Sequence, residues 1–414
     1  MPGRTWVIAP DAETLSLRWQ ELINAPSERK EMLFQPHQSN GNLGDRHSGK
    51  IVKIPLAGQQ TRTCSVANDK DGIVPPMRYA YRSFDRQWII PDNRVINRPN
   101  PTLWKAHSSQ QIYLTALDRP SPTSGPGVTF TALVPDLHHY KGSFGGRVFP
   151  LWMDAGATVS NIKASLLKFL TETYGIDVSP ENIMSYIAAL IAHPGFAERF
   201  REDLSTPGLR IPLTADPQIF AEIVSLGQRI LWLHTFGDRM TDPAQGRPTG
   251  PPRLHKEQRP HIPKAGAIPT DSDGMPDSIS YNENTKRLII GDGYVENGSP
   301  AIWNYEVSGK QVILHWFSYR KKNRERPIIG DRRQPSPLCN IQPDHWLAEY
   351  TTELINLLNV LGLLIELEPK QAELLERVCH GETFSREHLE GVGSFSGEVY
   401  TASSTTNSGQ IPLF

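Results

Sequence analysis

The sequence is poor in cysteine, balanced in charge and free of long apolar runs, and each of these shortages removes a class of protein. Only three cysteines occur in 414 residues, Cys64, Cys339 and Cys379, far apart and with no CxxC spacing. A disulfide scaffold and a zinc ribbon are excluded, and a reducing cytoplasm fits. Lys and Arg number 43 against 44 Asp and Glu, for a net charge of −1. That excludes a polycationic coat protein. It does not exclude nucleic-acid binding, which depends on where the charge sits. No apolar run reaches the roughly 18 residues of a membrane span, so no membrane partner is expected. The start, MPGRTWVIAPDAETL, lacks the apolar stretch of a secretory signal. The apolar share of 38% leaves out 32 glycines. Counting them brings it near the globular norm, so wholesale disorder is excluded.

Catalytic motifs are also missing. Gly44 to Lys50 has the GxxxxGK spacing of a phosphate loop, but Ile51 stands where a Mg²⁺-binding hydroxyl belongs. Gly291-Asp292-Gly293 has no third glycine and reads as a hairpin turn. Gly393 to Gly397 has a phenylalanine at its centre, so it is no nucleophile elbow. His138-His139 has no ligand-spaced partner and reads as a polar turn, with no metal expected. Pro135-Asp136 and Glu368-Pro369-Lys370 lie too far apart in sequence for a nuclease motif. Neither Asn100-Pro101-Thr102 nor Val74-Pro75-Pro76-Met77 supplies the Asn/Asp-Pro-Pro-aromatic motif of an amino-methyltransferase.

What is present has a clear order. Residues 1–75 read as a loop-rich N-terminal segment, and 76–158 form a β-rich part with strand-like runs at 111–117 and 128–134. Residues 159–240 read as helices. Ser179-Pro180-Glu181 and Asp216-Pro217 are helix starts, and helix stops are expected at His193-Pro194 and Gly237. Residues 241–276 hold eight prolines and four glycines and read as a linker or long irregular loop. In 277–380, a hairpin turning at Ser308-Gly309 places Trp303, Tyr305, Val312, Leu314 and Trp316 on one apolar face. Two helices follow, the second starting at Pro369 and stopping at Gly381. Residues 381–414 read as a disordered tail. The fold class is α+β rather than alternating βαβ: a β-rich region, a helical region, a Pro/Gly linker, a β-hairpin and C-terminal helices.

Two stretches combine cations with flat or polar side chains. Met77–Trp104 holds five arginines, five aromatics and three asparagines. In an extended strand Arg78 and Arg82 share one face, and Tyr79 and Tyr81 the other. Arginine suits phosphate and guanine, and asparagine suits adenine. Arg78, Arg82 and Arg86 are therefore the first candidates for DNA contact, with Asn93, Arg94 and Arg98. The competing reading is an ordinary strand with a salt-bridged outer face. The second stretch, Arg320–Arg333, has seven cations and two anions. It offers Arg320, Lys321, Lys322 and Arg324 to phosphates, or is a solvated charge run. A glycine-rich turn between Lys141 and Arg147 offers a third approach to phosphate.

Several strings together resemble a known family. They are YAYRSFDRQWIIPDNR (79–94), FGGRVFPLW (144–152), ENIMSYIAALIAHPGFAERFREDL (181–204), LRIPLTAD (209–216), LGQRILWLHTFGDR (226–239), AIWNYEVSGKQVILHWFSYR (301–320) and EYTTELINLLNVLG (349–362). In this order they are similar to the C-terminal specificity (target-recognition) region of Type ISP single-polypeptide restriction-modification enzymes and related adenine-specific DNA methyltransferases. The likeness covers about residues 1–380. It implies a double-stranded DNA reader that serves an adenine-N6 methyltransferase. The methyltransferase, helicase and nuclease parts are absent from this sequence. No cofactor is therefore expected on this chain, and S-adenosylmethionine is expected on a partner methyltransferase chain. The chain is then a separate specificity subunit, a split gene or a truncated remnant. The other readings are a methyltransferase subunit with an unseen cofactor site and a protein–protein scaffold without DNA contact.

Overall fold

A strand of two residues, β1 (Ile8–Ala9), leads into Asp11, whose carboxylate accepts from the Thr14 amide at 2.8 Å. That cap starts α1 (Ala12–Asn24), and α2 (Ser27–Phe34) follows. The computed structural model describes the chain except residues 1–2, 36–46, 50, 53, 98, 118–121, 141–145, 206–208, 323–334 and 393–414. The tail from 393, and Arg98, Lys141 and Arg324, therefore lie outside the described residues.

β2 (Met77–Arg82) and β3 (Asp85–Ile89) form an antiparallel hairpin, and β1 pairs with the other side of β3. After α3 (Pro101–Lys105) comes a second antiparallel sheet of β4 (Tyr113–Leu117), β5 (Val128–Thr131) and β6 (Gly146–Pro150), in the order β5-β4-β6. Both strand-like runs read from the sequence thus pair with each other, Tyr113 opposite Thr131.

Helices α4 (Ala164–Tyr174), α5 (Pro180–Ile191), α6 (Pro194–Arg199) and α7 (Pro217–His234) follow. The expected starts are real. The Ser179 hydroxyl accepts from the Asn182 amide, and the Asn182 side chain accepts from the Ser179 amide, a reciprocal cap. Asp216 accepts from the amides of Gln218 and Ile219. Helices α5 and α7 cross at Gly227, where an added Cβ would lie 1.8 Å from the Ser185 carbonyl oxygen. A mid-helix glycine costs roughly 1 kcal/mol in propensity, and this contact is the reason one is present.

Residues 241–276 contain two 3-10 turns and no strand, yet Leu254, Ile268 and Met275 are buried in the main core. The segment is irregular and packed. A third antiparallel sheet comprises β7 (Ile279–Asn282), β8 (Arg287–Ile290) and β9 (Gly293–Val295), with Gly291-Asp292 as the expected turn.

Two expectations fail here. The hairpin at Ser308-Gly309 exists, with Val307 opposite Lys310, but its strands β10 (Glu306–Val307) and β11 (Lys310–Gln311) have two residues each. On either side the chain is helical, as α8 (Pro300–Trp303) and α9 (Val312–Phe317). Ser299 caps α8 ahead of Pro300. Val312, Ile313, Trp316 and Phe317 bury one side of α9 while Leu314 is exposed, a helical period and not an alternating one. The second failure is the break at Pro369. One helix, α10 (Ala348–His380), runs through it, before α11 (Arg386–Gly391). Pro369 lies on the exposed side, where water can replace the lost backbone bond.

Two cores result. The larger joins the second sheet to α5, α7 and α10, and the Gln371 side chain of α10 donates to the Ala189 carbonyl of α5 at 2.9 Å. The smaller gathers Trp6, Trp19, Phe34, Ile89, Trp104 and Leu338 around the first sheet. Trp6 and Trp19 are fully buried, and each removes on the order of 200 Å² from water, ~5 kcal/mol before entropy. Apolar enough to span a bilayer by length and composition, α10 here is a core helix.

Candidate nucleic-acid interface

The β2–β3 hairpin was expected to present its arginines outward, and its register explains why it does not. The pairing shifts between Ala80 and Arg82, a bulge that breaks strict alternation. Tyr79 and Arg82, expected on opposite faces, both reach Asp136: the Tyr79 hydroxyl donates to it at 3.0 Å and the Arg82 guanidinium lies 3.3 Å away. Arg82 also donates to the Tyr319 hydroxyl and stacks on Tyr81 at 3.7 Å.

The next partners come from α10. Glu349 and Glu353, one turn apart, face the hairpin. Arg86 meets Glu353 at 3.0 and 3.1 Å. Arg78 meets Glu349 at 2.8 Å and Glu353 at 3.4 Å, and Trp88 Nε1 donates to Glu349 at 3.1 Å. Burial and the nearby Arg86 and Arg320 lower the Arg78 pKa, against the pull of both glutamates. Arg320 pairs with Asp85 at 2.8 Å, with both side chains 1% exposed. Arg94 pairs with Asp92 at 2.6 Å and Asp69 at 2.8 Å, and these carboxylates raise its pKa against the effect of burial.

These contacts fit the salt-bridged strand face that the sequence also allowed. Arg78, Arg82, Arg86, Arg94 and Arg320 serve the protein's own framework, as a salt-bridged strand face would. A guanidinium held by a buried carboxylate would have to break that pair before it could grip a base edge. Of the remaining expected residues, Asn93 donates to the Ile54 carbonyl, and Arg147 and Lys321 are half-buried. Lys322 is exposed, its ammonium 3.4 Å from the Ser272 carbonyl oxygen.

His138-His139 lies in a turn, as its sequence suggests, with His138 half-buried. His139 is buried, lies 3.0 Å from the Thr129 hydroxyl, and is held by burial at a pKa of about 4. No cluster of metal-ligating side chains occurs among the described residues. A cavity lined by Arg82, Asp85, Arg86, His139, His234 and Asp238 measures about 10 Å³, room for one water and far too little for an extruded base.

The sequence reading passed over a different set of cations. Arg253, Lys256, Arg259 and Lys264 are exposed, and none meets a carboxylate among the described residues. They lie in the Pro-rich segment that reads as a linker, where prolines outnumber these four cations.

A family model described as the Type ISP C-terminal specificity domain matches residues 1–357. No curated protein matches. Solved structures share the fold. A DrdV–DNA complex determined by cryo-EM matches at TM-score 0.54 and 15% identity, covering 92% of this chain and 35% of that one. The ATP-dependent Type ISP restriction-modification enzyme LlaBIII bound to DNA matches at TM-score 0.57 and 13% identity, covering 92% and 22%. A nuclease-deletion mutant of the Type ISP enzyme LlaGI in complex with a DNA substrate mimic matches at TM-score 0.51 and 13% identity, covering 90% and 26%. The chain therefore spans between about a fifth and about a third of the length of these proteins.

Proposed function

Because the chain belongs to the Type ISP C-terminal specificity domain family, we propose that it reads a short sequence of double-stranded DNA for a restriction-modification system. The observation that carries this reading is the family match over residues 1–357, on a fold shared with proteins solved on DNA. The three-dimensional arrangement is compatible with a passive reader. Ion pairs and two cores make a rigid frame, and rigidity limits the ordering cost of gripping a duplex. Chemistry is assigned to a companion: an adenine-N6 methyltransferase that holds S-adenosylmethionine, with this chain supplying target choice and no cofactor.

Selection from a pool of random duplexes tests the reading. Enrichment of one short asymmetric sequence by the isolated chain supports it. Binding of no duplex even at ~50 mM salt would favour a protein–protein scaffold, since phosphate contacts are strongest there. Calorimetry with S-adenosylmethionine tests the division of labour, and heat of binding to this chain alone would overturn it.

A further inference from the structure

Two sets of cations differ in their surroundings. Those of the β2–β3 hairpin are matched to carboxylates. Those of the strap at 251–264 are not. The strap carries Pro251, Pro252, Pro260 and Pro263, which restrict its backbone. It is also pinned. Leu254 is buried in the main core, and its amide donates to Asn359 Oδ1 at 2.8 Å, on the buried side of α10. Gly362 makes the seat, since a Cβ there would lie 2.6 Å from Leu254 Cδ1. At the other end His261 and Glu296 exchange backbone hydrogen bonds, and Asn297 donates to the carbonyls of Glu257 and Arg259.

This fixed strap holds Arg253, Lys256, Arg259 and Lys264 in water. The Arg253 guanidinium donates to the Pro252 carbonyl and Arg259 to the Leu254 carbonyl, so both are steered by backbone with no carboxylate to neutralise them. Partial burial and the nearby Arg259 charge lower the Arg253 pKa. The single acid of the stretch, Glu257, is paired with His255. Four cations spread along a strap do not converge on one small anion. They match a line of phosphates.

We propose that the strap from Arg253 to Lys264 is a phosphate-contacting surface for the backbone of a DNA duplex, independent of the bases read. The assignment rests on the DNA-reading function above and adds the face that provides affinity. The strap and the hairpin share one support, since Asn359 lies six residues along α10 from Glu353, about 9 Å of helix rise.

The test compares the full chain with a triple variant, Arg253→Ala, Lys256→Ala and Arg259→Ala, on one fixed 24-base-pair duplex (about two turns) across a salt series. All three side chains are exposed, so the thermal midpoint should hold. Affinity should fall at least tenfold near ~100 mM salt, and the slope of log affinity against log salt should flatten by about two to three. Glu257→Gln should bind more tightly than the unaltered chain. Lys168→Ala, an exposed lysine on α4 beside Glu172, should leave the slope unchanged. An unaltered slope in the triple variant overturns this inference and leaves the DNA-reading function standing. No duplex binding by the unaltered chain overturns both.

Discussion

Arg86 and Glu353 form a two-point contact at 3.0 and 3.1 Å across 267 residues of sequence. It ties the β2–β3 hairpin to α10. Glu353 is the harder partner to lose, because it also serves Arg78. Glu353→Ala leaves Arg78 with Glu349 alone and takes from Arg86 the carboxylate it meets among the described residues, and it should cost about 2–4 kcal/mol, less than a fully buried break because both arginines touch solvent. Urea titration of the variant checks the value, and an unchanged midpoint would contradict the contact.

Arg82→Ala and Arg86→Ala should act on stability before they act on DNA. Each removes a stacked, carboxylate-paired guanidinium, with an expected loss of about 1–3 kcal/mol. The salt slope of duplex binding should match that of the unaltered chain. A stable Arg86→Ala protein with a flatter slope would return the hairpin to the role that its sequence suggested.

Asp85→Asn breaks a deeply buried ion pair, that with Arg320. Arg320 keeps its bond to the Trp316 carbonyl and its stack on that ring but loses its counter-charge. The expected loss is about 3–5 kcal/mol. Replacing the pair together, by Asp85→Leu and Arg320→Met, should recover part of it, and a thermal melt distinguishes the two.

Gly227→Ala improves helix propensity and should still destabilise. The new methyl would stand 1.8 Å from the Ser185 carbonyl oxygen, so α5 and α7 must separate. A loss of about 3 kcal/mol or more is expected. A neutral or stabilising result in calorimetry would show that the helices do not cross here.

Acid should unfold the protein earlier than carboxylate titration alone predicts. Burial holds His139, His193 and His234 at pKa values of about 4, 4 and 3. In the unfolded chain each takes a proton near pH 6.5. The folded values are the lower ones, so the stability these residues give is complete above pH ~6.5 and is lost as pH falls. Glu368 opposes them. Burial and Glu198 raise it to about 7, so its proton favours the fold below that pH. With three histidines against one glutamate, the urea midpoint should fall between pH 6.5 and 4.5. His234→Gln should make that fall shallower by about 1.4 kcal/mol per pH unit.

Read residue by residue, the sequence by itself determined the local features. Ser179 with Pro180 and Asp216 with Pro217 start helices because a capping oxygen and a preset φ act within three residues. The turns at Gly291-Asp292 and Ser308-Gly309 are equally local. Family membership was legible too, since it rests on strings in order. The partners of the arginines were decided only by the tertiary structure. Arg78 finds Glu349 across 271 residues, and Arg320 finds Asp85 across 235. Charge composition cannot tell an arginine kept for a phosphate from one kept for a carboxylate, because both use the same donors. The lengths of β10 and α9 were settled the same way, by which side chains the core had room to bury. So the arginines of the hairpin find carboxylates within the fold, and the segment that reads as a linker holds four exposed cations that meet none among the described residues.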